Sequence, residues 1–501
     1  MKKFHALFPI AAACATMAAV ITACGNPAMK EVLRPLYEDE EKGGETITYP
    51  IGPGVYTVTF SFGTGGGTAP APRTAAAGAA VTLPGIGGMT GAAPSPVLTG
   101  WHDGANFYPP GAAYLVSRPV TLTAQWDSID NVLDAAIAAA PAGTGDTAAN
   151  PVPLALALDL GAMPSAAWAA LLLEIQAANK FVALDLAACS MTGEFDPGSA
   201  HTGEVYISAL TLPEAATVIK DGTLSDPTFE LFGSLKEVHG ANIDTVGEYA
   251  YSSINLTTAD FPKVTDIGDY AFSCCYFLAT VNIPKVETIG ERAFENLSSL
   301  TSVNLPEAIS IGTYAFQFCE YLTTVNLPKV TDISYGAFMS TRLAGPLDLP
   351  KVETVGAAAF DGCEYLTTVN LPEATSVGIQ AFSACFSLTT VNLPEATDIG
   401  DIAFTGCDSL TTLYLPQAAS IGDYAFSYTG TGPLTITLGA APPTLGSNLF
   451  QGVTSKTVTV QVPYPQDINA DGWIAAGYDA TWVTAFTGGN TNITVIFAPS
   501  L

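Results

Sequence analysis

The sequence predicts a repeat solenoid of parallel β-strands joined by short helical turns, with a small β-rich module ahead of it. Three observations carry that expectation. A phenylalanine preceded by alanine returns every 22 residues, at Phe272, Phe294, Phe316, Phe338, Phe360, Phe382, Phe404 and Phe426. A Leu-x-x-Val-x-Leu-Pro segment returns in the same register, clearest at Leu322–Pro328, with relatives beginning at Leu278, Leu300, Leu366, Leu388 and Leu410. An Ile-Gly or Val-Gly pair then follows, from Ile267-Gly268 to Ile421-Gly422. Self-similarity at a fixed period of this length means stacked coils, each burying its apolar side only against its neighbours.

Within one repeat, Val325 and Leu327 are expected to point inward and Thr324 and Asn326 outward, because successive side chains of a strand alternate. Pro328 has no amide to donate, so the strand should stop there. The Ile-Gly pair reads as a tight corner, with glycine supplying backbone freedom. Acids after it (Asp269, Glu291, Asp401, Asp423) suit the start of a short helix. Ala-Phe, a small residue three positions on and leucine six on would then return the chain in about one helical turn. Ser334 replaces the corner glycine in one coil and Ala344 the first strand leucine in the next, so a local distortion is expected there.

Composition bounds the function. The chain has 501 residues, only 13% of them charged, and a formal net charge of −29. A mean hydropathy of +0.33 fits many thin coils with filled interiors. Without its first 23 residues the chain carries 15 basic and 46 acidic residues, a net −31. Nucleic acid and anionic headgroups would be repelled. After the first 23 residues no apolar run approaches the ~20 residues of a spanning helix.

Residues 1–23 read as a secretory leader: Lys2 and Lys3, an apolar stretch from Phe4 to Val20, then Ile21-Thr22-Ala23-Cys24. The end of this leader resembles the lipobox of bacterial lipoproteins. That resemblance implies that Cys24 is acylated and becomes the first residue, anchoring the chain stably when two or more acyl chains are present. Gly25, in place of an acid, favours outer-surface display where an outer membrane exists. Residues 24–45 would be a polar tether. A plain secreted protein cut near Ala23 is the alternative.

Residues 46–127 hold short strands between glycine- and proline-rich turns: Tyr56–Phe60, Val81–Leu83 and Val120–Trp126. With Leu98-Thr99-Gly100-Trp101 and Tyr108 to Tyr114, this unit resembles the Listeria–Bacteroides repeat (the internalin-B-type B repeat), which implies a small β-grasp-like fold. Val97 and Leu98 stand where that family usually has an aromatic. Trp101 and Trp126 are expected to be core of the module, with a sugar platform as the alternative. Residues 128–234 should supply a helix, a linker and the solenoid's N-terminal cap, with strand, helix and strand at Leu154–Leu160, after Pro164 and at Phe181–Leu186. The order strand-Leu-Pro, Ile-Gly, Ala-Phe, Cys over residues 235–450 resembles the BspA-type leucine-rich repeat of bacterial surface proteins. Residues 451–501 read as the C-terminal cap.

Nothing in the chain points to catalysis or a cofactor. No Gly-x-Ser-x-Gly, phosphate loop or metal-spaced histidine pair is present, and His102, His201 and His239 are scattered. Cys275, Cys319, Cys363, Cys385 and Cys407 share the third place after the repeat phenylalanine, a place that Leu297, Thr341 and Thr429 also fill. In-register stacking puts Cys363, Cys385 and Cys407, in successive coils, within disulfide reach, but a slot that accepts Leu and Thr is better filled by buried thiols. A row cannot make a tetrahedral zinc site. Asp467-Ile-Asn469-Ala-Asp471-Gly472 begins like a calcium loop, yet Tyr478 stands where a closing glutamate belongs, so a surface turn is the plainer reading.

The candidate binding residues are the outward strand positions. One row is Thr280, Ser302, Thr324, Pro346, Thr368, Thr390 and Thr412; the other is Asn282, Asn304, Asn326, Asp348, Asn370, Asn392 and Tyr414. Pro346 and Asp348 interrupt rows otherwise made of small polar side chains. Beyond the strand proline lies a charge row, Lys263, Lys285, Glu307, Lys329, Lys351, Glu373, Glu395 and Gln417, shading from basic to acidic. Leucine-rich solenoids bind through their exposed sheet, while stacked Thr and Asn can equally hydrogen-bond along it and merely keep it soluble. The BspA resemblance implies a monomeric adhesin binding an extracellular protein or glycan, with a membrane role only through the anchor. A structural coat or spacer and a glycan-processing enzyme are the alternatives.

Overall fold

The 22-residue period becomes one coil of a stack in the computed structural model. It describes residues 55–499, except 62–65, 68–69, 77–78, 84–88, 91–95, 104, 109–112, 199–202 and 464–476. The leader, Cys24, the tether, His201 and the Asp467–Gly472 loop lie outside the described residues. Each coil contributes two strands, and equivalent strands pair in parallel and in register. Thr258, Ala259 and Asp260, for instance, stand beside Thr280, Val281 and Asn282.

The first sheet runs from Val152–Ala155 to Ile493–Pro499 and is interrupted twice, between Asn282 and Ser302 and between Asn326 and Gly345. The second sheet is unbroken: eleven two-residue strands from Val218–Ile219 to Thr444–Leu445. The Ile or Val of the Ile-Gly landmark therefore closes a two-residue strand that was not expected, and the glycine stands directly after it, where the return turn begins. That glycine is needed for a different reason too. A Cβ on Gly378 would lie 2.5 Å from the Ala357 nitrogen and 2.6 Å from the Gly356 carbonyl carbon, so the coils are spaced for a backbone without a side chain there.

The return segment is also not a helical turn. Two residues per coil adopt the left-handed conformation, such as Tyr270 and Cys274, Arg292 and Asn296, Tyr314 and Phe318. These reversals aim alternate amides along the solenoid axis. Tyr270, Phe272 and Cys274 donate to the carbonyls of Glu291, Ala293 and Glu295 in the next coil at 2.8–2.9 Å. A helical turn would have spent those amides inside its own coil. Here every edge of the coil satisfies its backbone by stacking.

The interior is a column of aromatic rings. From Phe272 to Phe426 successive rings lie 5.2–6.2 Å apart and within 14° of parallel. The column continues through Tyr251, Phe229 and Phe195 at one end and Phe450 and Phe486 at the other. These rings are all buried, in a single core with the inward leucines, valines and isoleucines of both sheets.

The irregular coil resolves in an instructive way. Leu343, one place early, fills the slot that Ala344 leaves empty, and it is buried. Gly345 (φ +73°) then carries a register shift that returns Leu347 to the inward row. At Ser334 the second sheet persists, but the amide-to-carbonyl distance to Ile311 is 3.1 Å against 2.7–3.0 Å at the glycine positions.

Helix α1 (Ile129–Ala139) and helix α2 (Ala166–Ala178) precede the regular coils. The Ser165 hydroxyl accepts from the Trp168 amide and starts α2. Trp168, Leu171, Leu172 and Ile175 sink into the solenoid core, and the indole of Trp168 donates to the Pro197 carbonyl at 2.9 Å. The strands flanking α2, Val152–Ala155 and Val182–Asp185, pair in parallel. At the far end helix α3 (Ala480–Thr487), capped by Asp479, brings Phe486 edge-on to Phe450, with Trp482 stacked on Phe486.

The N-terminal module is a mixed five-stranded sheet in which the first strand, Val55–Ser61, and the last, Val120–Ser128, lie side by side in parallel. Trp101 is buried with its ring edge-on to Phe60 at 5.0 Å, as expected of a core residue. Trp126 is only half-buried at the margin of that core.

Candidate polar sheet face

The first sheet turns its polar rows to solvent. Thr280, Asn282, Ser302, Asn304, Thr324, Asn326, Thr412 and Tyr414 are exposed; Thr368, Asn370, Thr390 and Asn392 are half-exposed. Strand alternation matches this exposure: the inward neighbours Val303, Val369, Val391 and Leu413 are buried, while Val281 and Val325, on the strands beside the two breaks, are half-buried. The structure brings them together in two straight rows, with Thr368 beside Thr390 and Thr412, and Asn370 beside Asn392 and Tyr414.

The asparagines are tied to one another. Asn326 donates its amide to the Asn304 side-chain oxygen at 2.7 Å, Asn370 to Asp348 at 2.8 Å and Asn392 to Asn370 at 2.6 Å. Asn282 donates to Asp260 at 2.6 Å. The amide chain breaks at the two places where the strands also part. At the second break a cleft of about 80 Å³ opens between Thr324, Val325, Pro346 and Leu347, where proline offers no amide to close the ladder.

Residues outside the two expected rows belong to the same face. Glu237, His239 and Asp260 extend it at the N-terminal side by strict register, with His239 Nδ1 3.3 Å from Asp260 Oδ2. Thr435 and Gln461 continue it at the other, where Thr437 is buried and donates to the Gln461 side-chain oxygen at 3.1 Å. A third row lies at the strand entrance, where the hydroxyls of Thr257, Thr323, Thr389 and Thr411 donate to carbonyls of the preceding coil at 2.8–3.1 Å. These were legible as Leu-Thr-Thr repeats, but the pairing that gives the first threonine its partner was not.

The charge row is not the smooth gradient expected of it. Lys329 pairs with Glu307 and Lys351 with Glu373 across adjacent coils. The Lys329 ammonium holds the Glu307 carboxyl below its usual range. Exposed pairs of this kind contribute little stability. Their consequence here is that much of the row is neutralised within the protein.

The cysteine column is structural. All five repeat thiols are free and buried, and each donates to the carbonyl of the preceding coil's spine ring, as in Cys319 to Phe294 at 3.0 Å and Cys407 to Phe382 at 3.2 Å. Burial pushes the Cys275, Cys319, Cys363 and Cys407 thiols up to about 12. Thr341 and Thr429 place a hydroxyl on the carbonyl of their own coil's phenylalanine. The slot therefore carries a polar handle, which the apolar reading of it missed. Tyr478 is buried, its hydroxyl 2.9 Å from the Gly439 carbonyl. Among the described residues no group of three or more His, Cys, Asp or Glu is placed to hold a metal, and no helix is long and apolar enough to cross a membrane.

Parallel coils of one period with a leucine-bearing strand, a second strand closed by the Ile of Ile-Gly and an Ala-Phe spine coincide with a known repeat. Residues 222–344 and 331–457 match the description "BspA type Leucine rich repeat region", in six copies. The solenoid is a BspA-type leucine-rich repeat array. Similar folds occur in a leucine-rich repeat protein from Bacteroides ovatus (20% identity, 60% of this chain and 86% of that one, TM-score 0.37). A leucine-rich cell surface protein from Faecalibacterium prausnitzii is comparable (20% identity, 57% and 86%, TM-score 0.34). The pneumococcal vaccine antigen PcpA follows (16% identity, 63% and 84%, TM-score 0.36). No curated protein matches the chain.

Proposed function

We propose that this BspA-type protein is a lipid-anchored adhesin of the bacterial cell surface, displayed on the outer membrane and binding an extracellular protein or glycan through its first sheet. The observation that supports this is the pair of straight polar rows on a rigid stack. Side chains already held by their neighbours lose little freedom on binding, so many weak contacts can add up. The row residues from Thr280 to Tyr414 would form the contact, and the chain would act as a monomer. The N-terminal module, with its parallel first and last strands, would be a Listeria–Bacteroides-type spacer between tether and solenoid. Tether (24–45), module (46–127), N-terminal cap (128–234), repeats (235–450) and C-terminal cap (451–501) would follow one another along the chain.

The test is attachment of the mature chain to extracellular-matrix and bacterial-surface extracts. Asn326→Ala/Thr368→Ala/Asn370→Ala should lower it at least about tenfold, a loss of ~1.4 kcal/mol, with the far-UV spectrum unchanged. Undiminished attachment would favour the coat or spacer reading, which the amide-to-amide bonds along the face also support. Anchoring is tested separately: Cys24→Ala should move the protein from the detergent phase to the aqueous phase on partition. A variant that stays with detergent would overturn the lipobox reading.

A further inference from the structure

The turn that follows each spine phenylalanine carries a second set of aromatic rings, and these face water. Phe277, Phe318, Tyr321, Tyr365, Phe386 and Tyr428 are each 42–57% exposed, while the spine rings two to five residues before them are fully buried. They belong to the same turn of the repeat in five of the coils, on the edge where the chain enters the first sheet: Tyr321 and Tyr365 directly precede Leu322 and Leu366. Of these rings, Tyr321 and Tyr365 stand on either side of a single coil. Sequence periodicity hides the set, because the ring sits two, four or five places after the spine residue in different coils.

Arg342 stands at the centre of this edge. Its guanidinium lies 5.3 Å from the Tyr321 ring centroid and 5.7 Å from that of Tyr365, between rings of the coils before and after it. The residue is exposed and makes no ion pair among the described residues. The equivalent position in those two coils is Glu320 and Glu364, both exposed. The arrangement thus offers two flat apolar rings, one planar five-donor fork held by cation–π contact, and carboxylate acceptors on either side.

That combination matches a sugar better than a peptide or a polyanion. A pyranose presents C–H faces that lie on aromatic rings, and vicinal hydroxyls that both accept from a guanidinium and donate to a carboxylate. Protein hot spots fill desolvated pockets, whereas these rings stand on turns at half exposure. An acidic glycan would meet Glu320, Glu364 and a net charge of −31 on the mature chain. Tyr321 and Tyr365 are two coils apart, about 10 Å at the ~4.8 Å spacing of paired strands, on the scale of two linked sugar rings. We propose that the edge centred on Tyr321, Arg342 and Tyr365 binds an extended, uncharged glycan, through side chains outside the two polar rows of the sheet face.

The test is titration calorimetry on the full mature chain with cellohexaose, mannohexaose, laminarihexaose and chitohexaose, and with a hyaluronan hexasaccharide as the acidic comparison. At least one uncharged hexasaccharide should bind with a Kd of about 1 mM or tighter. Tyr321→Ala/Tyr365→Ala should weaken it at least about tenfold, and Arg342→Lys should weaken it less than Arg342→Ala. Asn326→Ala/Asn370→Ala should leave it unchanged. The proposal fails if none of the four uncharged sugars binds, if hyaluronan binds as tightly, or if the double tyrosine variant is indistinguishable from the parent. It also fails if that variant loses attachment to a protein ligand alone. Loss of sheet-face attachment in the asparagine variant would leave these outcomes untouched, so the two readings stand or fall apart.

Discussion

Phe360→Ala is expected to cost about 3–5 kcal/mol, the range for removing a fully buried aromatic side chain. Its ring is completely buried and lies 5.5 Å from Phe338 and 5.2 Å from Phe382, within 5° of parallel to both. Removing it takes stacking partners from two coils at once, and neither sheet can collapse into the gap while its backbone ladder stays in register. A solenoid is stabilised mainly by nearest-neighbour contacts. The damage should therefore be local first: amide exchange in coils 338–382 should accelerate before the ends do. Urea unfolding should also lose cooperativity between Trp168 at one end and Trp482 at the other. A loss below about 1 kcal/mol would contradict a shared, sealed interior. The same column supplies a control of opposite sign. Tyr251 occupies a spine position with its hydroxyl buried and unpartnered, and burial pushes that phenol well above its ordinary range. An unsatisfied buried polar group costs about 1–3 kcal/mol, so Tyr251→Phe should hold or raise stability where Phe360→Ala lowers it.

The fold was legible where a single side chain repeats in a single place. The 22-residue recurrence of Phe272 to Phe426 gave the column of rings, and the alternation Thr324-Val325-Asn326 gave the exposed face. What stayed hidden depends on contacts between coils. The second sheet consists of strands only two residues long, too short for any alternation to register, so the strand closed by the Ile of Ile-Gly was not expected. The left-handed residues of the return turn include Tyr270, Arg292, Gln380 and Ile402, none of which signals a turn by its chemistry. Stacking imposes that conformation by offering each amide a carbonyl one coil away. Leu343 filling the place of Ala344 was hidden for a related reason, since Gly345 absorbs the extra residue only if the inward row on both sides is already fixed. On the candidate face the residues were legible but their bonding was not. Whether Asn326 reaches Asn304, or Lys329 reaches Glu307, is decided by the separation of coils. At the entrance to the first sheet the exposed rings were invisible because they occupy different positions in the repeat.

Gly378→Ala should destabilise the stack by about 1–3 kcal/mol, the usual cost of forcing atoms into a close-packed site. That is the opposite of the gain expected when glycine is replaced where its conformation is ordinary. The difference lies in the neighbouring coil. The added methyl would stand 2.5 Å from the Ala357 nitrogen and 2.6 Å from the Gly356 carbonyl carbon, and both are backbone atoms that cannot rotate away. Only the spacing of coils can yield. Ser334 shows how it yields, because the one coil with a side chain at this position has its amide 3.1 Å from Ile311, longer than any glycine coil. The residue two places on has a positive φ in either case, Gly336 after Ser334 and Gln380 after Gly378, so the turn itself gives no extra relief. Thermal or urea denaturation of Gly378→Ala beside the parent chain decides the matter. Unchanged stability would mean that the coils part freely, which the unbroken eleven-strand second sheet argues against. The same variant should leave the polar face in register on either side, since Val369 and Val391 remain paired through the first sheet. Lost stability with retained attachment would separate the role of this glycine in holding coils together from any role in binding.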